Sequence, residues 1–181
     1  MARRDGILVL ATLLATGCGS AAKQGPELEL GVPDRRAAGV EMTLPRVGGG
    51  KVSVSDLRGS PVVITLFTTW CLRCQAEARR FVQLHERKEV KVLGVALDVT
   101  TGLTMIQTYV DFVGFRFDVL LARPDDLELV GGLGATKKVP RTLLLDRKGR
   151  IVLDQVGQTD FVKLEAAIKA LSAKKPKARP R

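Results

Sequence analysis

The middle of the chain alternates continuous apolar runs with stretches of helical periodicity. Residues 61–67, PVVITLF, are apolar and rich in β-branched side chains, which is typical of a strand covered on both faces. Residues 71–88 contain good helix formers and place Phe81 and Leu84 on one face, which predicts an amphipathic helix. Further strands are predicted at residues 90–97, 117–121, 142–145 and 151–156, and further helices at residues 104–113 and 125–130.

Both ends of this pattern carry turn and cap signals. Residues 40–44 and 51–54 flank three glycines, which predicts an N-terminal β-hairpin. Thr159 is predicted to cap a last helix that runs to about Leu171, and Pro176 prevents its continuation. The order of elements predicts an α/β domain, a central mixed β-sheet flanked by helices with a β-hairpin extension at its N-terminal end.

The first residues do not fit this domain. Residues 1–17 place two arginines before a short apolar run and small residues, which is the pattern of a secretory signal. The run is too short to span a membrane, which takes about 20 apolar residues. The boundary before Cys18 resembles a bacterial lipobox, so we expect Cys18 to be lipidated and to anchor the chain to a bacterial membrane; the alternative is a plain signal peptide with an incidental cysteine.

The predicted organisation is therefore a signal peptide at residues 1–17, a flexible tether at residues 18–26, one domain at residues 27–172 and a basic tail at residues 173–181. The domain would face the periplasm or the cell exterior. The formal net charge is +10, with aromatic residues at only 4% and no recognition motif, which argues against a nucleic-acid partner. The tail suits anionic lipid headgroups or a solvated, disordered end.

Two of the three cysteines form a CxxC pair, Cys71 and Cys74. Cys71 is predicted at the N-terminus of a helix, where free backbone N–H groups stabilise a thiolate, and Arg73 adds positive charge. Cys74 lies one turn further on the same face and can close a disulfide. The spacing predicts an exposed attacking cysteine and a shielded resolving cysteine.

Other uses of the pair remain open on spacing alone. Structural zinc needs two further ligands, and His85 and carboxylates are the only candidates, so no metal site is predicted. A purely structural disulfide would close too short a loop to stabilise the domain much. Two thiolates also suit Cu(I), a soft ion. Redox exchange is the favoured interpretation.

The motifs VVITLFTTWCLRC, Val139-Pro140 and TLLLDRKGRIV resemble the thioredoxin superfamily, and SDLRG-P with CxxCxxE is similar to its TlpA/ResA-like membrane-anchored thiol–disulfide oxidoreductases. The resemblance covers residues 27–172 and implies a thioredoxin fold. It implies roles for six residues: Cys71 as nucleophile, Cys74 as resolving cysteine, Trp70 beside the pair, Glu77 as a proton-handling acid, Pro140 as a cis-proline and Val139 as a backbone contact for substrate. Trp70 as a core aromatic and Glu77 as a solvated carboxylate are the alternatives.

The same resemblance implies a function. It implies an enzyme without a cofactor that exchanges disulfides with exported proteins, such as apocytochrome c or copper-site proteins, as a reductant supplied by an upstream membrane electron donor. A different class, a Cu(I)-binding thioredoxin-like chaperone, stays as the alternative. A peroxiredoxin-like peroxidase is disfavoured because Ile64 occupies the place of its proline.

Overall fold

Seven strands form two sheets in the part of the chain that the structure describes. The computed structural model describes residues 39–123 and 138–173, all within a compact unit that spans Val32–Arg181; a second unit, Met1–Gly31, lies outside the described residues. The strands are β1 (Thr43–Pro45), β2 (Lys51–Ser53), β3 (Val62–Phe67), β4 (Lys91–Ala96), β5 (Val119–Leu121), β6 (Arg141–Leu145) and β7 (Ile151–Val156).

The five-stranded sheet is mixed, with the strand order β5-β4-β3-β6-β7. β3 pairs in parallel with β4, and β4 pairs in parallel with β5. β6 runs antiparallel to both β3 and β7, so β3 is the central strand on which the parallel and antiparallel halves meet. The carboxyl ends of β3 and β4 lie at the same edge, and the residues after them form the site described below.

Side chains alternate between two apolar layers because successive residues of a strand point to opposite faces. All six residues of β3 and all five of β6 are buried, which explains their continuous apolar sequence. One layer contains Ile64 and Leu66 of β3 together with Met42 and Leu44 of the N-terminal extension. The other layer contains Val63 and Phe67 and side chains of the three described helices.

These helices are α1 (Leu72–Glu86), α2 (Leu103–Val113) and α3 (Phe161–Ala173). They bury Phe81, Ile106 and Leu164 respectively against the second layer. α1 ends two residues earlier than predicted, because Lys88 adopts a positive φ of 57° that does not continue a helix.

The predicted hairpin is present as β1 and β2, which pair antiparallel across the glycine turn. It is attached to the main sheet by a bridge between Arg46 and Leu120 and by the Val47 N–H, which donates to the Val119 carbonyl at 2.8 Å. Val54, which was expected to continue the second strand, begins a 3-10 helix, Val54–Leu57.

One predicted cap is wrong. Thr159 does not cap α3; the cap is Asp160, whose side-chain Oδ1 accepts from the Lys163 N–H at 3.0 Å. Thr159 is turned toward the interior instead. The predicted helix at residues 125–130, the signal peptide, the tether, Cys18 and most of the basic tail lie outside the described residues.

Candidate redox site

Cys71 lies between β3 and α1. After β3 ends, a turn closes with the Cys71 N–H donating to the Thr68 carbonyl at 3.2 Å, and Cys71 is then the N-cap of α1. Its Sγ accepts a hydrogen bond from the Cys74 N–H at 3.1 Å. The sulfur therefore occupies the position where a helix N-terminus stabilises negative charge, as predicted from the sequence.

Cys71 and Cys74 form a disulfide, with their Cα atoms 5.2 Å apart. Cys71 is 8% exposed and Cys74 is 5% exposed, so both belong to the apolar layer under α1. The prediction of an exposed attacking cysteine is therefore wrong for this oxidised state. The two cysteines differ little in burial because the sulfur–sulfur bond holds both against the same helix turn.

The turn before Cys71 is held from two sides. The backbone N–H and the hydroxyl of Thr69 both donate to Oδ2 of Asp98, the N–H at 2.8 Å, and the Thr69 carbonyl accepts from the Gln75 side-chain amide at 2.7 Å. Asp98 follows β4 and is 5% exposed. The carboxyl end of β4 thus fixes the segment that carries Trp70 and Cys71.

The Asp98 carboxylate has a second polar neighbour. Its Oδ1 and the Tyr109 hydroxyl are buried without a hydrogen-bond partner among the described residues. Burial, and then the negative charge of Asp98, raise the pKa of Tyr109 to about 12. The phenol therefore keeps its proton, and with it a free donor, at any physiological pH.

Glu77 lies one helical turn after Cys74 and is 4% exposed. The backbone N–H of Thr159 donates to its Oε1 and the Thr159 hydroxyl donates to its Oε2, both at 2.7 Å. The hydroxyls of Thr159 and Thr142 are 2.8 Å apart, and Thr142 is the donor because Thr159 uses its only proton on the carboxylate. Glu77 is therefore not a solvated helix carboxylate.

The loop before β6 contains the second predicted motif. The peptide bond between Val139 and Pro140 is cis, as the resemblance implied. The Pro140 carbonyl accepts from the Gly157 N–H at 2.8 Å, which ties the loop to the end of β7. Val139 is partly buried and packs against the apolar layer that contains both cysteines.

Trp70 and Arg73 lie on the outside of the site. Trp70 is 69% exposed, which excludes the alternative of a core aromatic. Arg73 is also exposed on the first turn of α1. The structure therefore places a large apolar ring and a positive charge at the surface around a buried disulfide.

The comparisons with known proteins agree with this geometry. The sequence profile described as the AhpC/TSA family matches residues 33–154. The chain belongs to the AhpC/TSA family. The matched range includes the cysteine pair, Glu77 and Pro140.

Relatives of this AhpC/TSA family member carry out redox chemistry. The thiol–disulfide oxidoreductase ResA of Bacillus anthracis is 26% identical over 125 residues, which are 68% of this chain and 70% of ResA. Solved structures share the fold. One is a secreted disulfide oxidoreductase of Mycobacterium tuberculosis homologous to Escherichia coli DsbE, with a TM-score of 0.62 and 20% identity over 77% of this chain and 100% of that one. Another is a DsbF homologue of Corynebacterium diphtheriae, with a TM-score of 0.66 and 21% identity over 73% of this chain and 85% of that one.

The fold is therefore that of thioredoxin, as the sequence predicted. The cysteine pair, together with the family and its relatives, assigns the chain to the protein-disulfide oxidoreductases. Within the residues that the structure describes, no group of three or more histidine, cysteine, aspartate or glutamate side chains is arranged to hold a metal ion. No helix in that part of the chain is long and apolar enough to cross a membrane.

Sequence reasoning missed two residues of this AhpC/TSA-family site. Asp98 could have been found as an acid at the carboxyl end of a strand parallel to and beside β3. Thr159 was noticed only as a cap, because nothing local signals that it meets a carboxylate 82 residues earlier.

Proposed function

We propose that this protein exchanges disulfides with exported proteins, with Cys71 as the attacking thiolate and Cys74 as the resolving one. The observation that carries the proposal is the Cys71 sulfur at the N-terminus of α1, hydrogen-bonded by the Cys74 N–H and linked to Cys74 as a disulfide. A thiolate at this position is stabilised by the helix terminus and is a good nucleophile and leaving group.

The reaction proceeds in two steps. The Cys71 thiolate attacks a partner disulfide, forms a mixed disulfide and releases one partner sulfur as a thiolate. Cys74 then attacks the Cys71 sulfur, which breaks the mixed disulfide, releases the second partner thiolate and leaves Cys71–Cys74 oxidised. Cys74 must lose its proton in this second step. Glu77, buried in the same helix one turn away, is the carboxylate that we assign to accept this proton.

The substrate contacts follow from the surface around the pair. The exposed Trp70 directly precedes Cys71, and Val139, which precedes the cis-Pro140, packs against the layer that holds the cysteines. We assign the Val139 backbone as the group that pairs with an incoming peptide and Trp70 as an apolar contact. Apocytochrome c and copper-site proteins with cysteine pairs are the partners that the resemblance implies.

Trapping distinguishes the roles of the two cysteines. Cys74→Ser should accumulate mixed disulfides with partners, because Cys71 attacks and nothing resolves the product. Cys71→Ser should accumulate few, since the remaining sulfur, on Cys74, lacks the helix N-cap position that stabilises the Cys71 thiolate. Non-reducing electrophoresis measures both variants, and equal trapping would show that the roles are wrongly assigned.

We propose that the protein works as a reductant and receives its electrons from a membrane donor. A reductant should have a potential near that of thioredoxin, about −270 mV, whereas a strong oxidant lies near −120 mV. Equilibration with glutathione buffers, followed by the fluorescence of Trp70, the single tryptophan beside the disulfide, gives the value. A potential near −120 mV would refute the reductant role but not the exchange activity.

We also propose that Cys18 carries a lipid anchor and that the domain faces the periplasm or the cell exterior. The support is the sequence pattern before Cys18 and the likeness to the disulfide oxidoreductase of Mycobacterium tuberculosis, which is secreted. Cys18→Ser should yield soluble protein or an uncleaved precursor. Normal processing with the variant still in the membrane fraction would show that Cys18 is not the anchor.

A Cu(I) chaperone is the second candidate. The two thiolates suit this ion, and the Met105 thioether lines the same surface pocket as Trp70. Titration of the reduced protein with Cu(I) against a competing chelator tests this function. Tight binding that Met105→Leu weakens, together with a lack of disulfide exchange, would favour the chaperone over the oxidoreductase.

A further inference from the structure

Beside the disulfide, the surface between the turn that precedes Cys71 and the helix α2 contains an apolar pocket of about 430 Å³. The surface of this pocket is mostly apolar, and its lining combines exposed and half-buried residues: Thr69, Trp70, Thr101, Met105, Thr108, Tyr109 and Phe112. Met105, Tyr109 and Phe112 recur at helical spacing on one face of α2. Met105 is 53% exposed and Phe112 is 82% exposed, so this face of α2 is left uncovered.

A second, smaller cavity of about 180 Å³ adjoins the first and shares Tyr109 and Phe112 with it. Its other lining residues are Gln75, Arg79 and Val113. Arg79 is exposed, and no salt bridge within the described residues involves it. Of the described residues that line the two cavities, none is a carboxylate, so the net charge of this lining is positive.

The groove formed by these two cavities begins at the redox centre. Thr69 and Trp70 directly precede Cys71, and any partner that exchanges a disulfide must bring its own sulfur into contact with Cys71. The partner residues next to that sulfur are therefore placed over the first cavity. Exposed apolar surface at such a point is typical of a binding site and not of an inert surface.

We propose that this groove, the α1–α2 groove, selects partner segments in which a bulky apolar side chain and an acidic residue follow one another away from the target cysteine. The proposal rests on the disulfide exchange proposed above. The apolar side chain fills the pocket against Trp70, Met105 and Phe112. The carboxylate then pairs with Arg79.

The spacing follows from helix geometry. Arg79 is eight residues after Cys71, a rise of about 12 Å along α1. An extended peptide covers about 3.3 Å per residue, so the acidic residue should lie about four positions from the partner cysteine and the apolar residue about two.

Synthetic peptides test this selectivity. The test peptide, called the featured peptide, has one cysteine, with phenylalanine two positions and glutamate four positions away from it. Two copies of this peptide are joined through their cysteines as a disulfide. One version places the phenylalanine and glutamate after the cysteine, and a second version places them before it. In the matched control, called the plain peptide, glycine replaces the phenylalanine and glutamine replaces the glutamate. The rate at which the reduced full-length protein reduces each peptide is measured, and the selectivity is the ratio of featured to plain rates.

We expect the parent protein to prefer one featured peptide by roughly tenfold or more, the effect of burying an aromatic side chain and forming one partly screened ion pair. Phe112→Ala and Arg79→Ala should each reduce this ratio by at least about threefold. The effect of Arg79→Ala should disappear at high salt, whereas that of Phe112→Ala should persist. Val162→Ala and Lys169→Ala, which remove an equally exposed apolar side chain and a lysine of α3, should keep the parent ratio.

A ratio near one in the parent, or equal losses in the α3 variants, would overturn the groove assignment while leaving disulfide exchange intact. A parent that reduces neither the featured nor the plain peptide would overturn the proposed function itself. A second copy of this chain is the competing occupant. A dimer in sedimentation that Phe112→Ala dissociates would show that the groove binds that copy and would overturn the proposal.

Discussion

The hydroxyl of Thr159 should stabilise the fold more than an ordinary hydroxyl, because it donates to a buried carboxylate. Thr159→Val removes the 2.7 Å bond to Oε2 of Glu77 and keeps the size and branching of the side chain. The backbone N–H of residue 159 still donates to Oε1. The variant therefore removes only the hydroxyl of residue 159, with its bond to Glu77 and its bond to Thr142.

The size of the effect follows from burial. Hydrogen bonds to charged groups contribute about 1.5–3 kcal/mol, and water cannot replace this one because Glu77 is 4% exposed. Thr142, which is fully buried, also loses the side-chain acceptor that it has within the described residues. We expect the free energy of unfolding to fall by about 3 kcal/mol, which lowers the melting temperature by about 10 °C for a domain of this size.

Urea unfolding of the oxidised protein, followed by Trp70 fluorescence and circular dichroism, measures the loss. Thr142→Val is the matched control, because its hydroxyl bonds another hydroxyl and not the carboxylate; it should lower the free energy of unfolding by about 1 kcal/mol. In a Glu77→Gln background the effect of Thr159→Val should shrink to a similar value. A Thr159→Val variant within about 0.5 kcal/mol of the parent would show that the hydroxyl does not hold Glu77.

Two further predictions concern pH. Tyr109 is the only tyrosine, so tyrosinate absorbance should titrate near pH 12 in the folded protein and near pH 10 in urea. Asp98→Asn should lower the midpoint of the folded protein. A midpoint near pH 10 in the folded parent would contradict the burial of the phenol. Burial raises the pKa of Asp146, but hydrogen bonds from Arg150 and Lys148 lower it by more, to a net value below the usual one. The Asp146 carboxylate therefore stabilises the fold fully above its unfolded pKa of about 4, and this stabilisation is lost as pH falls through the folded pKa. The difference in unfolding free energy between the parent and Asp146→Asn should accordingly be constant above about pH 5 and shrink in acid.

The elements that could be predicted from the sequence are those specified by local patterns. The central strand was predicted because a strand buried on both faces needs a continuous apolar run, and residues 62–67 supply one. The place of Cys71 was predicted because the run ends just before it and a helical pattern begins just after. The end of α1 was predicted two residues too late, since the positive φ of Lys88 has no sequence signal comparable to a glycine.

The contacts that were missed join residues distant in the chain. Thr159 and Asp160 are adjacent and both suit an N-cap, so local rules do not choose between them. The choice is made by Glu77, which needs donors inside the protein and takes both the N–H and the hydroxyl of Thr159. The exposure of Trp70 likewise depends on Asp98, which fixes the preceding residue from 29 positions away.

Taken together, these contacts hold the cysteine segment at both ends by buried carboxylates. Before the pair, Asp98 on the β4 side accepts two hydrogen bonds from Thr69. After the pair, Glu77 accepts two from Thr159, which directly precedes the cap of α3. A disulfide exchange breaks and forms bonds only between Cys71, Cys74 and the partner, so neither anchor has to move during the reaction. The two carboxylates differ in what they can do. Asp98 is separated from the sulfurs by the turn before Cys71 and serves to position that turn. Glu77 shares the helix face of Cys74 and is the carboxylate that we assign to the transfer of the Cys74 proton.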